Sequence, residues 1–482
     1  MIIVKRRSSD LKKITMALCA SILVVSAQAA EADSVEELFT KGETHGNIKY
    51  YFIETDKDLT NLGKSTTTAH ANSVGGQLGF TTAKMYGLSA GATFMTTNPF
   101  AKTHSVDTSI IGRDNGVRLE GSASGTVAQR GFSVLGEAFL DYQYQGFDIW
   151  YGRRVEKTPL IHAKEVRMIP SAIQGGDLSY SFENGLKIGS GYVDKFKQRT
   201  SSKFVDVYEH ALGLQTEQIT GKKSGYIVPT YIEWRDAHHT ARLYNYYAAD
   251  FMSMNYFDAV HKHQVNDDFT WNVAVQGMHE QGVGHARTAT FQASLADKTA
   301  TPVTSNADVN ARFFGLKAGS TFHESSLMLA YTQVLGSKDN EHNSLTLPWD
   351  GTPLFTDMIT SNDLFTSNYG QGMTSSAGYI AGTSGLKVGY TQKYDFTGVK
   401  GFKTVIAYAY YDNSNFIKAQ QDLNLVAAYG IGNFSLTLKG IWVQNNTSNT
   451  AADTDVKAGE AGASISQIDK LTQYRVIANY KF

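Results

Sequence analysis

Tyr474-Arg475-Val476-Ile477-Ala478-Asn479-Tyr480-Lys481-Phe482 closes the chain. In an extended strand, successive side chains point to opposite faces. Tyr474, Val476, Ala478, Tyr480 and Phe482 therefore share one face, and Arg475, Ile477, Asn479 and Lys481 share the other. The same period of two recurs upstream. Phe434, Leu436, Leu438, Gly440 and Trp442 alternate with Ser435, Thr437, Lys439, Ile441 and Val443. Phe269, Trp271, Val273 and Val275 alternate with Thr270, Asn272, Ala274 and Gln276, and Leu386, Val388 and Tyr390 with Lys387, Gly389 and Thr391. In a soluble sandwich the apolar face points inward; in a membrane barrel it points out to lipid.

Connector lengths separate the two cases. The pattern predicts strands over 47–54, 74–82, 88–96, 132–143, 147–154, 177–182, 186–193, 226–234, 240–247, 252–260, 269–278, 313–321, 326–334, 386–393, 403–411, 422–429, 434–443 and 474–482. That is about eighteen, an even number, as a closed bacterial barrel requires. Short connectors such as Gln145-Gly146, Glu183-Asn184-Gly185 and His323-Glu324-Ser325 alternate with long ones over 97–131, 155–176, 194–225, 279–312, 335–385 and 444–473. Short periplasmic turns and long outer loops are the mark of an up-and-down antiparallel transmembrane β-barrel. The terminal Phe482, with Tyr480 two residues earlier, resembles the signal that the outer-membrane barrel assembly machinery reads.

The other end agrees. Lys5, Arg6, Arg7, Lys12 and Lys13 precede an apolar stretch from Ile14 to Val25, then Ala27-Gln28-Ala29. Basic region, short apolar core and small residues at the cut predict a secretory signal peptide over 1–29. Residues 30–46 then form a short periplasmic segment with a helix, and 47–482 the barrel. Loss of 1–29 removes five basic residues and Asp10, leaving 39 basic and 44 acidic residues. That balance argues against nucleic-acid binding by bulk charge. The single cysteine, Cys19, leaves with the signal, so disulfides and thiol chemistry are excluded. Past the signal, no apolar run reaches the ~20 residues of a spanning helix.

One stretch carries a family resemblance. Trp150-Tyr151-Gly152-Arg153-Arg154-Val155-Glu156-Lys157-Thr158-Pro159-Leu160 is followed by Glu165-Val166-Arg167-Met168-Ile169-Pro170 and by Gly175-Gly176. Asp194-Lys195-Phe196-Lys197-Gln198-Arg199 comes after the next hairpin. This resembles the OprD-type outer-membrane porins, especially their Campylobacter-like members. The resemblance implies that the third outer loop, here 155–176, folds into the barrel and narrows it. Pro159 and Pro170 would stiffen that loop, and Gly175 with Gly176 would allow a tight return to the wall. Lys157, Lys164, Glu165 and Arg167 would place charge at the narrowest point. It also implies passive diffusion of small hydrophilic solutes, anionic or zwitterionic carboxylates and amino acids among them.

Facing follows from the alternation. With the apolar set outside, Lys49, Arg154, Lys187, Lys317, Lys387, Lys393, Lys403, Lys439 and Arg475 point into the lumen. The inward acids expected are Glu137, Asp141, Asp148, Glu233 and Asp422, and the inward sets are otherwise mostly small or polar. Inward basic residues guide carboxylates or simply solvate a water-filled lumen; the pattern leaves both open. Tyr142, Tyr192, Trp234 and Trp442 suit the interfacial girdle facing lipid and lipopolysaccharide. Enzyme chemistry is not evident: Gly121-Ser122-Ala123-Ser124-Gly125 has Ala at the nucleophile position, and neither His279-Glu280 nor His323-Glu324 continues as H-E-x-x-H. His238-His239 and His261-Lys262-His263 read as solvated turn histidines, so neither metal nor cofactor is expected. A barrel enzyme or an adhesin with a closed lumen is the competing reading. Monomer and homotrimer are both compatible with the sequence.

Overall fold

The computed structural model describes residues 30–58, 67–100, 131–163, 167–292, 304–306, 308–336, 344–359, 377–413, 417–445 and 470–482. The expected signal segment 1–29 lies outside the described residues. A nineteen-stranded sheet holds eighteen wall strands plus a two-residue strand, Val205–Asp206. The wall strands are β1 (Glu43–Asp58), β2 (Thr67–Thr81), β3 (Leu88–Pro99), β4 (Phe132–Tyr144), β5 (Phe147–Arg154) and β6 (Ala172–Ser181). Next come β7 (Leu186–Lys197), β8 (Ile227–Arg235), β9 (His239–Ala248), β10 (Met252–Gln264), β11 (Phe269–Gly282) and β12 (Asn310–Phe322). The last are β13 (Ser325–Leu335), β14 (Ser384–Lys393), β15 (Phe402–Asn413), β16 (Ile417–Ile431), β17 (Phe434–Asn445) and β18 (Lys470–Lys481).

Each strand pairs antiparallel with its sequence neighbour, and β18 pairs back onto β1 from Asn47↔Lys481 to Asp58↔Lys470. Gly46 and Phe482 exchange backbone hydrogen bonds of 3.0 and 3.1 Å, so the last residue is stitched into the seam. Among the described residues, the eighteen wall strands leave no open edge, the condition for a sheet in a bilayer, where an unpaired N–H or C=O costs several kcal/mol. The outward face is apolar and exposed: Ile48, Leu140, Tyr151, Leu243, Leu316 and Leu386 all lie on it. Exposed apolar side chains in alternate positions on successive strands reverse the burial of a soluble protein.

All eighteen expected strands are present, but several reach further at the long-loop end. β1 runs on to Asp58 where alternation marked Glu54, and β6 begins at Ala172 rather than 177. Beyond the lipid both faces of a strand become polar, so the apolar period fades while the ladder continues. At the opposite end Gln145 and Gly146 have φ of 45° and 88°, a two-residue turn whose twist suits a hairpin. The outer connector after β9 is also short, Ala249–Phe251, with Asp250 at φ 58°. A helix, α1 (Val35–Thr40), precedes β1, with Ser34 accepting from the Glu37 N–H. It is held to the β2–β3 turn by Ala83 N–H donating to the Leu38 carbonyl at 2.9 Å.

Among the described residues, three long connectors turn into the barrel. The first, of which 155–163 and 167–171 are described, joins β5 to β6. The second, 198–226, joins β7 to β8 and carries α2 (Val207–Leu212) and α3 (Thr216–Thr220). The third, of which 344–359 and 377–383 are described, joins β13 to β14. Leu160, Ile161, Tyr208, Leu212, Trp349 and Leu354 of these loops form one apolar cluster with wall residues Trp150, Tyr246 and Phe313.

Candidate functional site

The first loop crosses the lumen between Val155 and Ser171. Lys157 pairs with His162 in a bridge at its tip and is exposed. Further along, Met168 and Ile169 are buried against the inner faces of β1 to β4, on Tyr51, Ile53, Met95 and Val134. Two wall lysines take hold of its carbonyls. Lys49 Nζ donates to Arg167 O at 3.3 Å and Met168 O at 3.1 Å, and Lys197 Nζ donates to Pro170 O at 2.9 Å. Arg167 is only 2% exposed, so it is enclosed between loop and wall rather than set at the open edge. Lys164 and Glu165 lie outside the described residues. The loop also ends earlier than expected. Gly175 and Gly176 are strand residues of β6, and Gly175 sits at a β-bulge where a Cβ would strike the Tyr192 carbonyl. The glycine there permits close strand approach, not a turn.

The third loop meets the first. Ile161 pairs with Asp350, and Trp349 Nε1 donates to Val207 O at 3.1 Å. Asp350 adopts φ 62°, a left-handed conformation that Asp tolerates. Its carboxylate accepts from Arg199 at 2.9 Å and from Ser171 Oγ at 2.5 Å, which ties all three loops at one point. Burial pushes the Asp350 carboxyl up, but Arg199, Ser171 and His210 together hold it below the usual carboxylate range. His210 donates from Nε2 to Pro348 O at 3.1 Å, and burial pushes its imidazole below the ordinary value. The wall clips this loop too. Glu280 accepts from the Thr346 N–H at 3.1 Å, Lys387 donates to Asp357 O at 2.5 Å and Tyr411 donates to Thr356 O at 2.6 Å. Lys317 lies 4.4 Å from the Phe355 ring centre.

Register places each of the nine expected lumen cations on the inner face. Lys49 and Arg475 are buried there on β1 and β18, Lys317 on β12 alternates with the exposed Leu316, and Lys387 and Lys393 on β14 alternate with the exposed Leu386 and Tyr390. Lys403 is directly paired with Lys393, and Lys439 with Arg475. Arg475 Nε donates to Gln473 at 2.6 Å, and its Nη1 to Tyr51 Oη at 3.3 Å. Arg154 bridges Asp141 at 3.3 Å and Glu156 at 3.5 Å, and Lys187 lies over Tyr231. The charges are segregated. Glu137, Asp141, Asp148, Asp177 and Glu233 line the arc from β4 to β8, where Arg154, Lys187 and the loop-bound Lys197 are inward cations. Lys317, Lys387, Lys393, Lys403, Lys439, Arg475 and Lys49 line the arc from β12 round to β1, with Asp422 as its buried acid.

The inner wall departs from the expected small or polar lining. Trp150, Tyr231, Tyr244, Tyr246 and Tyr256 all point inward and are buried. Tyr231, Tyr244 and Tyr246 stack in sequence with ring centres 5.1 and 5.6 Å apart. Inward loops need an apolar floor, and tyrosine supplies one while its hydroxyl still reaches a partner: Tyr231 donates to Asp177 at 2.8 Å and Tyr244 to Glu233 at 2.5 Å. Sequence reading also missed Asp177, Glu280 and the paired Arg242 and Asp258, whose atoms approach to 2.5 Å. The third loop had a legible signal: Leu345-Thr346-Leu347-Pro348-Trp349 is too apolar for an exposed connector. The histidines His239, His261 and His263 lie in β9 and β10, not in turns, because that hairpin ladder extends further than alternation marked.

The comparisons with known proteins agree with this geometry. A sequence model of the outer membrane porin, OprD family, matches residues 112–448. No curated protein sequence matches. Among solved structures, OpdK of Pseudomonas aeruginosa, crystallised with vanillate, is similar with a TM-score of 0.66 at 13% identity, covering 92% of this chain and 99% of that one. OccK9 (OpdG) of Pseudomonas aeruginosa gives 0.67 at 15% identity, over 93% and 100% of the two chains. OccAB1 of Acinetobacter baumannii gives 0.66 at 13% identity, over 95% and 99%. At such identities the structures establish the shared barrel, while the sequence match spans well over half the chain. This protein is therefore a channel of the Gram-negative outer membrane, and it belongs to the OprD family of outer-membrane porins.

Proposed function

We propose that the channel favours small carboxylates, anionic or zwitterionic such as amino acids, over neutral solutes of the same size. The observation that carries this reading is the separation of charge around the lumen: acids on the β4–β8 arc face cations on the β12–β1 arc. A low-dielectric wall focuses such a field across the water-filled path. A carboxylate is drawn to the lysine side; a zwitterion orients its ammonium toward the acidic side at the same time. Lys157, at the tip of the first loop, with Lys164, Glu165 and Arg167 would tune that field near the constriction. The vanillate of the OpdK structure is itself a small aromatic carboxylate, which fits this reading. Assembly through the terminal Tyr480 and Phe482 belongs to the same proposal. The test is swelling of liposomes holding the refolded porin. Small carboxylates and amino acids should enter several-fold faster than uncharged sugars of matched size. Equal rates would refute the preference and leave a size-limited channel.

A further inference from the structure

The outer wall at the short-turn end carries a ring cluster that permeation does not use. On β8 to β11, outward positions place Trp234, His239, His261, His263 and Trp271 side by side. His239 is directly paired with His261, and His263 with Trp271. Ring centres lie 5.8 Å apart for Trp234 and His239, 4.7 Å for His239 and His261, and 5.2 Å for His261 and Trp271. Asp236, in the turn before β9, accepts the Nδ1–H of His239 at 3.0 Å and the backbone N–H groups of His238 and His239. Those donors hold its carboxyl down at about 2, so it is an anion at neutral pH. With Nδ1–H given to Asp236, the neutral form of the His239 ring carries its lone pair on Nε2. Among the described residues, the His261 and His263 rings meet ring faces and no hydrogen-bonding side chain.

We propose that this patch binds the ammonium-bearing headgroup of a zwitterionic phospholipid in the periplasmic leaflet. A carboxylate, a ring lone pair and the π-faces of two tryptophans all attract an ammonium. The N–H groups of His261 and His263 are donors for the adjoining phosphate. The apolar wall above, including Val273, Val275 and Leu243, receives the acyl chains. An ordinary aromatic girdle needs neither the anion nor three imidazoles in contact.

Native mass spectrometry of the full porin in detergent tests this. Phosphatidylethanolamine and phosphatidylglycerol of identical chains are offered separately, with chain-free glycerophosphoethanolamine as a third arm. The wild type should retain one phosphatidylethanolamine adduct about tenfold better than phosphatidylglycerol. The Asp236→Asn/His239→Ala pair should lose that preference, as should Trp271→Phe in part. Trp442→Phe, at the other end of the barrel, should keep it. Heat-modifiable mobility on gels confirms that each variant is folded, and Trp271→Phe stands in if the pair fails to fold. Equal retention of the two lipids, a preference that survives in the folded variants, or its loss in Trp442→Phe would each overturn the proposal. Equal retention of the chain-free headgroup would overturn the lipid assignment in favour of a soluble phosphoethanolamine ligand.

Discussion

Single residues set the loops in place. Arg199 and Asp350 are both close to fully buried, and their ion pair joins the second and third loops while Ser171 adds the first. Arg199→Ala removes the guanidinium partner of a buried carboxylate, a loss of about 3–5 kcal/mol from loop docking. Single-channel records of the variant should show larger and noisier conductance than wild type, and unchanged records would mean that the loops do not need the clip. Acid should have a similar effect. The folded values of His210 and Asp350 both lie below their ordinary ones, so the undocked state binds protons more readily. Docking is fully stabilised above the ordinary histidine value and weakens as pH falls below about 6.5, first through His210 and then, below about 4, through Asp350. His210→Gln removes the upper part of that window, which current noise recorded against pH will show.

At the level of elements, alternation and connector length located all eighteen strands because every lipid-facing position obeys one rule. Strand ends beyond the bilayer obeyed no such rule, which is why β6 was marked from 177 although its ladder begins at Ala172. The first loop was legible through its prolines and its family resemblance. Which atoms it meets was not: Lys49 looked like a free lumen cation, and in the structure it holds two loop carbonyls. Such contacts join residues more than a hundred positions apart, beyond any local pattern. The C-terminal strand was legible to the last residue, since Phe482 both continues the outward face and bonds to Gly46. Deletion of Phe482 removes two seam hydrogen bonds and the terminal aromatic. The level of heat-modifiable barrel in outer-membrane fractions should fall several-fold; normal levels would show that neither is needed for assembly.

The whole molecule is a closed wall whose outside meets lipid by apolar burial and whose inside sorts charge by arc. Facing on the lumen side was readable strand by strand, since Lys317, Lys387 and Arg475 each fall on the polar set of their own alternation. The grouping of acids on one arc and cations on the other needed the order of strands around the barrel. The pair Lys393 and Lys403 lies side by side toward the short-turn end of the cationic arc. Lys393→Glu with Lys403→Glu should move ion preference toward cations without changing the level of folded barrel. The central measurement is the reversal potential of the wild-type porin in a planar bilayer under a salt gradient. A reversal potential on the anion side, shifted toward the cation side by the double lysine variant, is the predicted result. Cation preference in the wild type, or no shift in the variant, would contradict the account.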